Sequence, residues 1–344
     1  MSDMNGRIVL DVAYQPQVRT KTDTMRLMLD VIISLMPALI IGVLQFGLRP
    51  LMLVLMGVAS AVFWEWGYRR LFKKEASIGD LSAVVTGLLL ALTLPPSAPL
   101  WIPIVGTLFG IVVVKQLYGG IGKNFLNPAL AGRAFLLSSY SIIMANWSIP
   151  NALSGTVDGV TMATPLAGLY GEGIPAYFTV KSMFMGYIPG SIGEISAFAV
   201  LLGAAYLIWR KVISWRIPAA FVGTVALLTL IFGREGFGNG QWMLYNLFSG
   251  SLLFGAVFMA TDYTTSPVTL NGQLLYGAGC GVLLVLIRYF GGFPEGTTYA
   301  ILIMNLCTWA IDKAFHRSQF GVTKGDIMMA KALKQVEKEK EAAK

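Results

Sequence analysis

Runs of roughly 17 to 20 apolar residues, the length a helix needs to cross a hydrocarbon core of about 30 Å, recur along almost the whole chain. They fall at about 30–47, 51–68, 81–95, 100–118, 129–145, 192–209, 214–232, 243–260, 273–290 and 296–312. The chain therefore reads as an all-α polytopic membrane protein with about ten transmembrane helices. Composition agrees: 55% of the 344 residues are hydrophobic and only 13% are charged. A water-soluble domain of this length would need far more charge to cover its surface. The first 25 residues are polar and lack the apolar stretch of a signal peptide, so no cleaved leader is expected.

The segments fall into two sets of five. Residues 1–29 read as an N-terminal segment, 30–145 as a first five-helix unit, 146–191 as a loop, 192–312 as a second unit and 313–344 as a basic tail. Thr86 to Pro99 and Ser251 to Pro267 are each followed by a span, a Gly-Gly turn with a proline nearby, and a final span. This pairs spans three to five with spans eight to ten. An odd number of spans per unit makes the two units inverted repeats, and short Gly/Pro-interrupted spans at matching places suggest broken helices.

Basic residues set the orientation. With the N-terminus placed in the cytoplasm, 21 of the 26 Lys and Arg fall on the inner side, four (Arg49, Lys181, Arg234, Arg288) on the outer side, and Arg133 lies within the fifth span. This bias predicts cytoplasmic termini and an outer location for the long loop. It also accounts for the net charge of +8 without a nucleic-acid partner. Membrane lipid is the expected surroundings.

Few residues could carry chemistry of their own. Cys280 and Cys307 lie in apolar segments without metal-ligand spacing and read as small core residues. His316 is the only histidine, so histidine-based metal or triad chemistry is excluded, and no catalytic residue or metal site is expected. Ser77-Ile-Gly-Asp80 and Ser191-Ile-Gly-Glu194 recur before spans three and six. Both read first as helix starts. The alternative makes Asp80 and Glu194 acids at membrane depth, on a cation or proton path with Asp262. Arg133 must pair or line a polar cavity. It could serve an ion path or a second flavin, but a structural bond to Asp262 or Asn127 is the favoured reading.

Within the outer loop lies Asp158-Gly-Val-Thr-Met-Ala-Thr164, followed by Pro165. Physically this is a turn whose pre-proline threonine is held extended. The pattern D-G-x-T-x-A-T resembles the flavinylation motif of the NqrB/RnfD family of membrane proteins. Asn127-Pro-Ala-Leu-Ala-Gly-Arg133, Gly190-Ser-Ile-Gly-Glu194, Met259-Ala-Thr-Asp262 with Thr265-Ser-Pro267, and Pro294-Glu-Gly296 with Met304-Asn305 resemble further family signatures, in the same order. The resemblance covers about residues 8 to 315. Length and the lack of a long N-terminal extension favour the RnfD branch. One departure is Met162, where the family motif often has glycine.

The resemblance implies FMN joined by a phosphoester to Thr164 by a flavin transferase, with Asp158, Thr161 and Ala163 as recognition positions. A second, non-covalent flavin such as riboflavin is a further possibility it raises. It implies an electron relay in the prokaryotic cytoplasmic (inner) membrane, in a complex with the other Rnf subunits (A, B, C, E and G). Such complexes pass electrons between ferredoxin and NAD and couple this to Na⁺ or H⁺ translocation. Ferredoxin and NAD chemistry then belongs to the partners, because this chain has no cysteine cluster for iron–sulfur ligation and no dinucleotide-binding glycine motif. The implied fold is similar to urea and ammonium channels, which leaves a small-solute channel as the competing class. A structural component with a vestigial flavin site is a third. The outer threonine motif discriminates, since a channel has no use for it.

Overall fold

The computed structural model describes residues 23–75, 77–150, 164–170, 178–233, 238–291 and 295–315, and is helical with no β-strand among them. Each of the ten apolar segments contains helix. Helix α1 (Thr24–Phe46) follows Asp23, whose backbone is extended, and stops at Gly47, where φ is 77°. Glycine takes that left-handed conformation without a Cβ clash. Helix α2 (Arg49–Leu71) starts directly after, with Pro50 in its first turn, where the missing N–H costs nothing. Arg69 and Arg70 in its last turn offset the negative end of the helix.

Helices α1, α2 and α13 (Leu270–Phe290), of 23, 23 and 21 residues, are long and apolar enough to cross a membrane. A fourth span arises if α11 (Asn239–Phe248) and the stretch Leu252–Met259, bent at 61°, count together. That stretch is α12 (Leu252–Phe254) continued as a π-helix over Gly255–Met259. The others are shorter or broken: α3 (Ser82–Leu92), α4 (Ile102–Thr107) continued as a π-helix over Leu108–Gln116, α5 (Pro128–Ser139), α6 (Ser141–Met144), α7 (Pro165–Tyr170), α8 (Val180–Met185), α9 (Ala197–Trp209), α10 (Arg216–Ile231) and α14 (Thr297–Ala314).

Helix α3 shows what breaking a helix requires. Its 11 residues rise only about 16 Å, half a hydrocarbon core. Every residue except Val84 is buried, so it is enclosed by protein on all sides. It ends ahead of Pro95 and Pro96, and a helix end at this depth leaves carbonyls without partners. The turn Ser191–Glu194 supplies them: Gly193 N–H donates to Leu92 O at 2.8 Å and Ile192 N–H to Leu94 O at 3.1 Å. The tip of α3 and the turn leading into α9 therefore complete each other inside the protein.

Small residues set the helix spacing. On α13, Gly277 and Gly281 lie one turn apart, and a methyl group added at either would meet α10, 2.7 Å from Ile217 O and 2.7 Å from Thr224 Cβ respectively. This is the glycine-lined crossing common in membranes. Helices α2 and α3 meet through Gly57 and Gly87. A methyl at Gly87 would lie 2.5 Å from Gly57 O, whereas one at Gly57 would find its nearest neighbours at 3.0 Å. Gly87→Ala is therefore expected to cost about 1–3 kcal/mol by forcing the helices apart, despite alanine's better helix propensity. Gly57→Ala should cost less. Thermal melting in detergent checks the order, and an equal or larger loss at Gly57 would contradict this packing.

Large apolar side chains cover the outside, among them Leu44 at 70%, Ile142 at 87% and Phe290 at 85% exposure. Patches of this size are intolerable in water but suit lipid, and the chain is a multi-pass membrane protein. Exposed Trp209, Trp215 and Trp309 fit the aromatic enrichment at membrane interfaces. Cys280 is buried as expected, but Cys307 is exposed, beside the equally exposed Ile303 and Leu306. An apolar segment says nothing about which of its faces meets lipid.

Candidate functional site

Thr164 stands directly before α7 and is 4% exposed. Its Oγ1 accepts from Ala167 N–H at 3.2 Å and its carbonyl accepts from Gly168 N–H, so the hydroxyl caps the helix that Pro165 opens. Asp158, Thr161 and Ala163 lie outside the described residues.

Helix α7 rests on a cluster of aromatic rings. Tyr170 packs edge-on against Trp242 and Tyr289, with centroids at 5.4 and 5.6 Å, a preferred geometry for such pairs. Tyr170 Oη donates to Asn246 Oδ1 at 2.7 Å and Trp242 Nε1 to Tyr289 Oη at 2.7 Å. Asn246 in turn holds Arg288 of α13, whose Nη1 donates to Asn246 O at 2.8 Å and Oδ1 at 3.3 Å. Arg288 is 2% exposed, and its Nε and Nη2 have no hydrogen-bond partner among the described residues.

Arg133 lies where α5 meets the Ser191–Glu194 turn and the start of α14. It forms an ion pair with Glu194, and its Nη2 also donates to Glu194 Oε2 at 3.3 Å and to Glu295 Oε2 at 3.1 Å. The expected partners, Asp262 and Asn127, are elsewhere: Asn127 caps α5 through Ala129 and Leu130 N–H and donates Nδ2 to Met259 O. The reason is the break ahead of α9, which turns Glu194 inward against α5. Glu194 and Arg133 are both almost fully buried, so each charge depends on the other.

Asp80 behaves as a helix start. Its Oδ1 accepts from Ser82 N–H at 2.8 Å and Ser82 Oγ at 2.5 Å. Ser82 Oγ also accepts from Lys115 Nζ at 2.6 Å, and Lys115 Nζ donates to Glu65 Oε2 at 2.7 Å. The basic-residue count puts Lys115 on the cytoplasmic side and Arg288 on the outer side; both are instead buried inside the protein. The two Ser-Ile-Gly-acid turns thus share a further property, a buried cation beside each: Lys115 near the first, Arg133 at the second.

Asp262 is half-buried, accepts from Thr264 and Thr265 hydroxyls at 3.2 Å, and lines a cavity of about 260 Å³. Lys115, Asn124 and Asn127 also face that cavity, amid apolar side chains of α1, α3 and α9. The four charges proposed for a path are therefore not one cluster. Arg133 and Glu194 form one site, while Asp80 adjoins Lys115 and Ser82, which line the cavity at which Asp262 stands.

Glu65, Lys115, Arg288 and Glu295 do not stand out in the sequence as site residues. Each carries the same signal, an ionisable residue in or at the edge of an apolar segment, which by itself marks a residue that must find a partner inside.

Residues 11–321 match the model of the NQR2, RnfD, RnfE family. The chain is 44% identical to the D subunit of the Na⁺-translocating ferredoxin:NAD⁺ oxidoreductase complex of Acetobacterium woodii, over 94% of this chain and 98% of that one. It is 39% identical to the D subunit of the proton-translocating ferredoxin:NAD⁺ oxidoreductase complex of Clostridium ljungdahlii, over 91% and 96%. Against the D subunit of the ion-translocating oxidoreductase complex of Stutzerimonas stutzeri the identity is 36%, over 88% and 93%.

Proposed function

The chain belongs to the NQR2, RnfD, RnfE family, and from that premise we propose that it is the electron-relaying D component of an ion-translocating ferredoxin:NAD oxidoreductase complex. The observation that carries this is the match to its D-type relatives along nearly the whole length of both chains. Its partners are then the other members of the complex, A, B, C, E and G. The coupling ion is Na⁺ or H⁺, since one relative is named for each.

FMN on Thr164, joined by a phosphoester through a flavin transferase, is the cofactor part of this reading. Two features support it. The D-G-V-T-M-A-T stretch ends on Thr164. The buried Arg288 beside α7 offers unused donors to an anionic group. The Thr164 oxygen can still accept from Ala167 N–H once esterified, so the helix cap survives. Bound FMN would supply reversible electron storage, and the protein's task would be orientation and shielding from water. Because Thr164 is almost fully buried, its flavin must be attached before α7 docks or while it is opened.

The finer architecture is proposed with it: two inverted five-helix units, both termini cytoplasmic and the Thr164 loop on the outer side of the cytoplasmic membrane. The repeat is supported by breaks at corresponding places, the short α3 in span three and the bent stretch of α11 and α12 in span eight. The basic-residue bias supports the orientation, and burying Lys115 and Arg288 removes one charge from each side without altering it. The cavity at Asp262, slightly below the usual size range of ligand sites, is where a second, non-covalent flavin such as riboflavin would be held.

The test is co-expression with a flavin transferase, denaturing electrophoresis and ultraviolet illumination. A fluorescent band is expected for the wild type and none for Thr164→Ala. A dark wild-type band, with the transferase active on a control protein, would overturn the covalent-flavin reading. Yellow colour released from Thr164→Ala on denaturation would report the second flavin.

A further inference from the structure

We propose that Arg288 is the counter-charge of the flavin linkage: its free edge binds the phosphodiester joining FMN to Thr164. This assignment rests on the covalent-flavin reading above. A buried guanidinium without a carboxylate is strongly destabilising unless something answers its charge. Arg288 forms no ion pair among the described residues; Glu295 lies within electrostatic range but its carboxylate is bonded to Arg133. Glu194 and Glu295 exceed Arg133 by one charge and so offset Arg288 through space, but no described acceptor touches its Nε or Nη2.

The free donors have a definite shape. Asn246 holds Nη1, which leaves Nε and Nη2. These carry the two parallel N–H bonds along one edge of the planar group, the fork that matches two oxygens of a phosphate. A phosphodiester bears a single negative charge, which one guanidinium neutralises. Arg133 cannot serve, because it is already shared by two carboxylates.

Position agrees with charge. A methyl group on Gly250 would lie 2.9 Å from Leu166 Cδ2 and 3.6 Å from Arg288 Nη2. Leu166 is two residues beyond Thr164, so Arg288 Nη2 and a side chain from the first turn of α7 border the same space, the one a side chain at Gly250 would fill. Gly250 also has φ of 73°, a conformation that favours glycine. The tie from Tyr170 through Asn246 to Arg288 fixes the guanidinium relative to the helix that follows Thr164.

The experiment compares Arg288→Gln and Arg288→Lys in the wild-type and Thr164→Ala backgrounds, all full-length and co-expressed with the transferase. Gel fluorescence comes first: a dark wild-type band overturns the covalent flavin itself, independently of Arg288. With a bright band, melting temperatures in detergent decide the role of Arg288. The expected result is that Arg288→Gln lowers the melting of the flavinylated protein by several degrees more than that of the Thr164→Ala protein, in which only the bonds to Asn246 are lost, and that Arg288→Lys shows a smaller difference. Equal lowering in both backgrounds, or none in either, would overturn the proposal. If Arg288→Gln does not fold in either background, the same comparison with Arg288→Lys decides.

Discussion

Arg133→Gln is expected to remove most of the folded protein. Glu194 and Glu295 would be left facing each other with no cation between them, and Glu194 is nearly inaccessible to water. Deleting one partner of a buried ion pair costs about 3–5 kcal/mol, because the remaining charge stays desolvated. Against a total stability of about 5–15 kcal/mol, that is enough to unfold much of the population. The loss is moderated at Glu295, which is 17% exposed and keeps some contact with solvent. Adding Glu194→Gln to Arg133→Gln should restore much of the yield, since a neutral pair can hydrogen-bond where two carboxylates repel. The measurement is the monodisperse fraction after detergent extraction, followed by melting. A stable, flavinylated Arg133→Gln protein whose complex moves electrons without moving ions would instead make Arg133 part of the ion path.

Much of this architecture is legible in the sequence because the bilayer restricts what an apolar run can be. All ten predicted segments contain helix, and Pro95-Pro96 marks the end of α3 within a few residues. What hydropathy cannot show is how a segment is divided inside. The π-helical stretches and the 61° bend before Leu252 depend on tertiary contacts, such as the approach of Gly110 to Pro128 O. Among the described residues three helices have the length and composition of a full span; the short ones are tolerated because neighbours satisfy their ends, as Ile192 and Gly193 do for α3.

Charges are legible as anomalies but not as pairs. Arg133 stands out as a residue needing a partner, yet that partner lies 61 residues away and the second one 162 residues away. No local pattern encodes such pairings. The Ser-Ile-Gly-acid repeat marks the position of two turns. Its two acids differ in use: Asp80 caps through Ser82, whereas Glu194 takes Arg133 directly. For Thr164 the motif points to the acceptor, and its burial against α7 is a property of the fold alone.

Lys115→Met should produce the second large loss. Lys115 Nζ holds Glu65 Oε2 at 2.7 Å and Ser82 Oγ at 2.6 Å, and Glu65 is completely buried. Methionine fills a similar volume but provides no donor, so Glu65 would keep only Ser77 Oγ and the distant Arg69, 3.9 Å away. The cost should approach the same loss of about 3–5 kcal/mol, reduced to the extent that Arg69, itself 16% exposed, moves inward. Glu65→Gln with Lys115→Met removes both charges and should recover most of the stability. The coupling between the two positions, measured by melting the four proteins of the cycle, should be well above the few tenths of a kcal/mol expected of independent sites. Additive losses would mean that the pair contributes packing rather than charge. Because Lys115 and Ser82 also face the cavity at Asp262, the double variant separates two uses of the cation. If the fold is recovered but a non-covalent flavin is no longer retained, Lys115 serves the cavity as well as Glu65.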